Sequence, residues 1–160
     1  MKIYFALFIS MILLAISCKN SESKSKTAGA ETAQASFEKL PKEMVQKLWE
    51  QADLLDFIFH DLPFSMNQSE KPSIQANISY ISQVPLLSIP EGCKAIARQF
   101  YGIQGEIVLE ADVYFSEGCY FYVFIVDGQP KYANQMNENG KGFFKNIIAQ
   151  ALNTTSNMGG

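Results

Sequence analysis

Residues 106–116 alternate so regularly that any fold of this chain has to include a sheet. The odd positions are Ile107, Leu109, Ala111, Val113 and Phe115, while the even ones include Glu106, Glu110 and Asp112. A period of two with one apolar side is the pattern of a strand buried on one face only. After Ser116-Glu117-Gly118-Cys119, residues 120–126 are apolar on both sides, and Asp127-Gly128 follows as a hairpin turn. Residues 131–136 then predict a last strand, with Pro130 at an edge position. Residues 94–101 predict a first strand, joined to the alternating one through Gly102 to Gly105. The result is a four-stranded antiparallel meander.

Helical periodicity flanks it. From Pro41, Met44, Val45, Leu48, Trp49, Ala52, Leu55, Ile58 and Phe59 recur at spacings of three and four, which predicts one long amphipathic helix ending at Asp61-Leu62-Pro63. Residues 64–82 are ambiguous, because Ile74, Ile78 and Ile81 fit a short helix beginning within 69–73 while residues 74–82 also alternate. The short helix is the preferred reading. Phe143, Phe144, Ile147, Ile148, Ala151 and Leu152 mark a C-terminal helix. The expected fold class is therefore α+β, with N-terminal helices, the four-stranded meander, and a C-terminal helix packed on one sheet face.

Ahead of this body, Lys2 is followed by residues 3–16 without a single charge and then by Ala15-Ile16-Ser17-Cys18. A short charged start, an apolar run and a small-residue exit make a secretory signal. The run is too short for a spanning helix, which needs about 20 apolar residues. The tetrapeptide resembles the lipobox of bacterial lipoproteins, with Ala in place of the commonest Leu at its first position and Ile at its second. That resemblance implies cleavage before Cys18, a diacylglycerol on the Cys18 sulfur and a further acyl chain, such as palmitate, on its amine. Two or more chains hold a protein stably to a bilayer. It also implies a cell-envelope location, and Lys19 in place of an inner-membrane retention Asp favours the outer membrane. The mature part resembles the small lipoproteins common in the Bacteroidota.

Residues 19–36, KNSESKSKTAGAETAQAS, contain no aromatic residue and no Leu, Ile, Val or Met. Such a segment cannot bury enough apolar area to offset its ordering entropy. It predicts a tether with a reach of about 20 to 25 Å. The organisation is then a signal peptide over 1–17, the lipidated cysteine and tether over 18–36, one domain over 37–152, and a polar tail over 153–160.

With Cys18 assigned to lipid, Cys93 and Cys119 remain as an even pair in an oxidising compartment. If strands 94–101 and 106–116 form a hairpin, Cys93 enters at the end where Cys119 leaves. A disulfide across that loop would stabilise by about 3.5 kcal/mol on the chain-entropy estimate.

Catalytic signatures are scarce. His60 is the only histidine, so His-based triads and two-His metal sites lack a second imidazole, and no metal or other cofactor is expected. Its expected place is the last turn of the long helix, where the macrodipole favours positive charge. Gly140-Lys141-Gly142 lacks the rest of a phosphate-loop pattern and reads as a turn into the last helix. The formal net charge is −3, which gives no basic footprint for nucleic acid.

One face remains of interest. With Phe115 opposite Tyr120, the partners on the other side of the sheet are Tyr114 with Phe121, Asp112 with Val123, and Glu110 with Ile125. If helices cover the Ile107-Leu109-Ala111 side, the face carrying Glu110, Asp112, Tyr114, Phe121 and Val123 is a candidate binding surface. The alternative is that residues 64–82 cover it, leaving Glu110 and Asp112 at a wet edge. The expected function is a membrane-anchored accessory component that binds an envelope protein or extracellular ligand through this face, without catalysis. A carboxylate-dependent enzyme acting on glycans is the other reading, with Glu110, Asp112 or Glu117 as its acids. Glu110 and Asp112 lie about 7 Å apart along one strand face.

Overall fold

The computed structural model describes residues 36–158, with side chains to residue 153. The signal, Cys18 and nearly all of the tether lie outside the described residues. The domain is α+β: a seven-stranded antiparallel sheet with three helices among the described residues.

The expected meander forms its centre. It consists of β4 (Ala95–Ile103), β5 (Glu106–Ser116), β6 (Cys119–Val126) and β7 (Gln129–Met136), neighbours in chain order. Two of its turns have left-handed backbone at both central residues, Gln104 and Gly105 (φ 53° and 83°) and Asp127 and Gly128 (53° and 74°). That twist matches the twist of the strands they join. Pro130 pairs with Ile125 at a register shift, and β7 reaches its other strand neighbour only at Asn134 and Met136. Its missing N–H therefore breaks no ladder on that side.

Three further strands were not expected. The helix that begins after Pro41 stops early: α1 spans Lys42–Gln51, Ala52 is already extended, and β1 runs Leu54–Phe59. Residues 54–59 fit both periods, and pairing decides between them. As a strand beside β4, Leu55, Phe57 and Phe59 all point into the core while Ile58 is left exposed. Consequently His60 is not in a helix turn. It follows β1, exposed, with Nδ1 3.1 Å from the Ala95 carbonyl.

Residues 64–82 yield a short helix as expected, α2 at Lys71–Ser79, but with β2 (Ser65–Gln68) before it and β3 (Ile81–Pro85) after it. Both become the outermost strands, in the order β2-β1-β4-β5-β6-β7-β3. The last helix, α3, spans Glu138–Met158 and takes in most of the expected polar tail.

All three helices pack on one face of the sheet. Leu48 of α1, Ile74 and Ile78 of α2 and Phe144 of α3 share a core with Leu55, Phe57, Ala97, Tyr101, Ala111, Val113, Tyr122 and Phe124. No described helix is long and apolar enough to cross a membrane. One residue expected under the helices is not there. A register shift between Tyr101 and Gly102 pairs Tyr101 with Leu109 but Gly102 with Ile107. The extra residue, Val108, turns Ile107 to the opposite face, where it is 47% exposed.

Candidate functional site

The sheet face away from the helices holds the candidate residues, and register fixes their arrangement. Tyr114 pairs with Phe121, Asp112 with Val123 and Glu110 with Ile125, as expected from the β5–β6 turn. On the other side of β5, Arg98 stands opposite Asp112 and Phe100 opposite Glu110. Beyond β4, Ile58 pairs with Arg98 and Asp56 with Phe100.

This face is divided in two. On the β6–β7 half, Phe121, Val123, Ala133 and Cys119 are buried beneath Phe37, Leu86, Ile89 and Cys93, with Tyr114 packed at the side. Phe121 and Val123 therefore do not form an open binding surface. The cover is not residues 64–82, whose helix lies on the other face; it is the segment after β3, together with Phe37. The Cys93–Cys119 disulfide is present, with Cα atoms 5.8 Å apart, and ties this cover to the start of β6. The Tyr114 and Phe121 rings stack with centroids 4.4 Å apart.

Between the halves lies an ion cluster built on the chain's single arginine. Arg98 Nε donates to Asp112 Oδ1 at 2.8 Å, Nη2 to Asp112 Oδ2 at 3.1 Å, and Nη1 to Glu110 Oε2 at 3.4 Å. Both oxygens of Asp112 are thus taken up by a planar fork, the geometry that Arg offers and Lys does not. The hydrogen bond to Asp112 raises the Arg98 pKa, with the Asp112 and Glu110 charges adding to it against desolvation. Burial raises the Tyr114 pKa, and the negative charge of Asp112 adds to that effect while Arg98 opposes it.

The β2–β1–β4 half is open. Ile58 is 52% exposed, and it joins Ile107, Phe100, Asp56, Asn67 and Met66 around a shallow depression of about 390 Å³. Asn67 Nδ2 donates to Asp56 Oδ1 across the β1–β2 pair, which orients the carboxylate. Ile58, Asp56, Phe100, Ile107 and Arg98 were not picked out from the sequence. A two-residue turn at Gln104-Gly105 would place Arg98 opposite Ala111 without the extra residue on β5. The shift at Val108 is what brings it to Asp112.

Glu117 sits exposed in the turn between β5 and β6, apart from this cluster. Among the described residues no group of three or more His, Cys, Asp and Glu side chains could hold a metal ion. A larger groove of about 530 Å³ runs beside α1; among the described residues its walls are Val45, Gln46, Trp49 and Gln83, with Lys42 the single charge. These residues bring no polar groups to a common point. Comparison with protein-family models, with curated proteins and with solved structures finds no match for this chain, so the site is read from its own geometry.

Proposed function

We propose that this protein is an envelope lipoprotein, anchored through Cys18 and more suited to the outer membrane than the inner, that acts by binding through the open half of its outer sheet face. The lipobox-like Ala15-Ile16-Ser17-Cys18 supports the anchor. The Cys93–Cys119 disulfide fits an oxidising compartment. The observation that carries the binding reading is the depression itself: exposed Ile58 and Ile107 beside Phe100, bordered by Asp56 and Glu110. Apolar side chains exposed together and rimmed by charge supply the character that contact surfaces share, and this supports the binding reading. Since Arg98 is occupied by Asp112 and Glu110, the rim carries an excess of negative charge. Its complement is a partner segment that presents Lys or Arg among apolar residues.

The glycan-hydrolase reading draws less support. Glu110 and Asp112 share one arginine on one flat face instead of confronting each other across a cleft, where hydrolysis places its two acids.

Two experiments test the proposal. Metabolic labelling with an alkyne-bearing palmitate should mark the wild-type chain and leave Cys18→Ser unmarked; an unmarked wild type removes the anchor. Titration of the full chain in detergent with an alternating Lys-Leu peptide should shift resonances of Ile58, Phe100 and Ile107, and an alternating Glu-Leu peptide should not. Loss of at least tenfold in affinity is expected in Ile58→Ser and in the double variant Asp56→Asn with Glu110→Gln. Equal binding of both peptides, or of neither, overturns the assignment of this face.

A further inference from the structure

Residues 86–93 form a strap across the covered half of the outer face, and among the described residues its attachments are few. At its beginning the Leu86 amide donates to the Ala133 carbonyl at 3.0 Å, and the Phe37 amide donates to the Leu87 carbonyl at 3.1 Å. At its end stands the disulfide from Cys93 to Cys119. Between these points the strap adds no strand to the sheet. Pro90, Glu91 and Gly92 are exposed, and the side chains that touch the sheet, Leu86, Ile89 and Cys93, are each only half-buried.

The cluster beneath is separate from the main core. Phe121, Val123, Ala133 and Cys119 lie on the side of the sheet opposite the helices, and the helix-side core contains none of them. Loss of the strap therefore removes no support from the interior that holds the domain together. Three half-buried side chains are set against the ordering of an eight-residue segment, a balance that one covalent link can decide.

We propose that the strap is a redox-released cover: reduction of Cys93–Cys119 frees residues 86–93 from the sheet while the domain stays folded, and leaves Phe37, held beside β7 by the Glu38 carbonyl, as the one part of the described cover still over the Tyr114, Phe121 and Val123 surface. The reductant is a dithiol. Its thiolate attacks the Cys93 sulfur, which belongs to the more accessible of the two residues, since Cys119 is only 7% exposed. Cys119 leaves as a thiolate and takes up a proton. The second thiol of the reductant then displaces Cys93 and closes to a disulfide, so two electrons and two protons pass to the protein.

Register gives the release a consequence. The row Ile58, Arg98, Asp112, Val123, Ala133 runs unbroken across five strands, so the half that the strap leaves is continuous with the half already open. The oxidation state of the disulfide would then set the width of the exposed face. That consequence rests on the open half being a contact surface, whereas the release itself does not.

The test is amide exchange on the full chain in detergent, oxidised and after treatment with dithiothreitol, with a thiol titre rising by two to show that reduction is complete. Exchange at the Leu86, Phe37 and Cys93 amides should accelerate at least tenfold. Amides of the β4–β5 and β5–β6 ladders, such as those of Ala97, Ala111 and Phe124, should change less than twofold, and reoxidation should restore the strap. Cys93→Ser should reproduce the reduced pattern without reductant. Failure of dithiothreitol to reduce the folded chain, unchanged exchange in the strap after full reduction, or equal acceleration in the ladders would each overturn the proposal. Peptide titration of the reduced chain is read separately: release without added binding leaves the strap in place as a device and rejects the contact role of the face.

Discussion

Arg98 and Asp112 face each other across β4 and β5 and meet through two parallel hydrogen bonds, of 2.8 and 3.1 Å. The Arg98 side chain is 39% exposed and that of Asp112 18%, so water screens part of their attraction. The pair also stands at the boundary between the open and covered halves of the face, in the register that the extra residue at Val108 sets. A double-mutant cycle with Arg98→Met and Asp112→Asn should return a coupling energy of about 0.5 to 1 kcal/mol. Raising the salt from low ionic strength to 1 M should shrink it, since screening reaches short distances at that concentration. Salt-independent coupling would mean that the fork acts through packing alone.

A second polar linkage lies deep in the sheet. Asn134, 1% exposed, accepts the Leu40 amide at Oδ1 and donates from Nδ2 to the Ser82 carbonyl, each at 2.8 Å. It does so where β3 and β7 lose register between Ile81 and Pro85, so one side-chain amide substitutes for absent ladder bonds. Asn134→Leu should lower stability by about 2 to 4 kcal/mol in chemical denaturation, because it strands a buried donor and a buried acceptor together. Asn134→Asp keeps the acceptor alone and should also lose stability, with the loss growing as the carboxyl ionises.

These two linkages show where the sequence was legible and where it was not. The meander could be read because residues 106–116 alternate and the turns carry Asp127-Gly128 and Gly118, all local signals. The disulfide followed from the hairpin of strands 94–101 and 106–116, which turns between Gly102 and Gly105. The strands β1, β2 and β3 escaped because Leu54–Phe59 satisfies a helical and a strand period equally, and four or five residues at a sheet margin carry no period of their own. Pairing partners distant in sequence settle such segments. The candidate face was half legible for the same reason. The β5–β6 register follows from a short turn, but the extra residue at Val108 reverses Ile107 and brings Arg98 to Asp112, and nothing local announces it. The cover over Phe121 comes from Phe37 and residues 86–93, whose few apolar side chains form no repeating pattern.

Two buried tyrosines predict an alkaline limit to stability. Burial raises the pKa of Tyr101 and of Tyr122 well above the ordinary phenol value. A folded-state pKa above the unfolded one means that the native state holds its protons more tightly. Their contribution is complete below about pH 10, where unfolded tyrosine titrates, and declines as pH rises beyond it. Denaturation midpoints of wild type should therefore fall above about pH 10 more steeply than those of the Tyr101→Phe and Tyr122→Phe double variant. At neutral pH the two sites should differ. The Tyr122 hydroxyl finds no partner among the described residues, so Tyr122→Phe should be neutral or stabilising by up to about 1 kcal/mol. Tyr101 donates to Gln99 Oε1 at 3.0 Å, and Tyr101→Phe should cost about 1 to 2 kcal/mol by leaving that buried oxygen unpaired.

Gly102 gives the last prediction. It pairs with Leu54 on β1 and with Ile107 on β5, at the end of the sheet where the register shift has turned Ile107 outward. A Cβ placed there would stand 2.8 Å from the Leu54 Cβ. Because a Cβ is fixed by its backbone, Leu54 cannot rotate away, and the strands themselves would have to separate. Gly102→Ala should therefore destabilise by about 1 to 3 kcal/mol, despite placing a better strand former in β4. The separation would fall between β1 and β4, beside the open depression, so the same variant should weaken binding of the Lys-Leu peptide while leaving the strap amides of residues 86–93 unchanged. Exchange measurements that showed the strap loosening equally would mean that the two halves of the face are mechanically coupled, against their description as separate clusters.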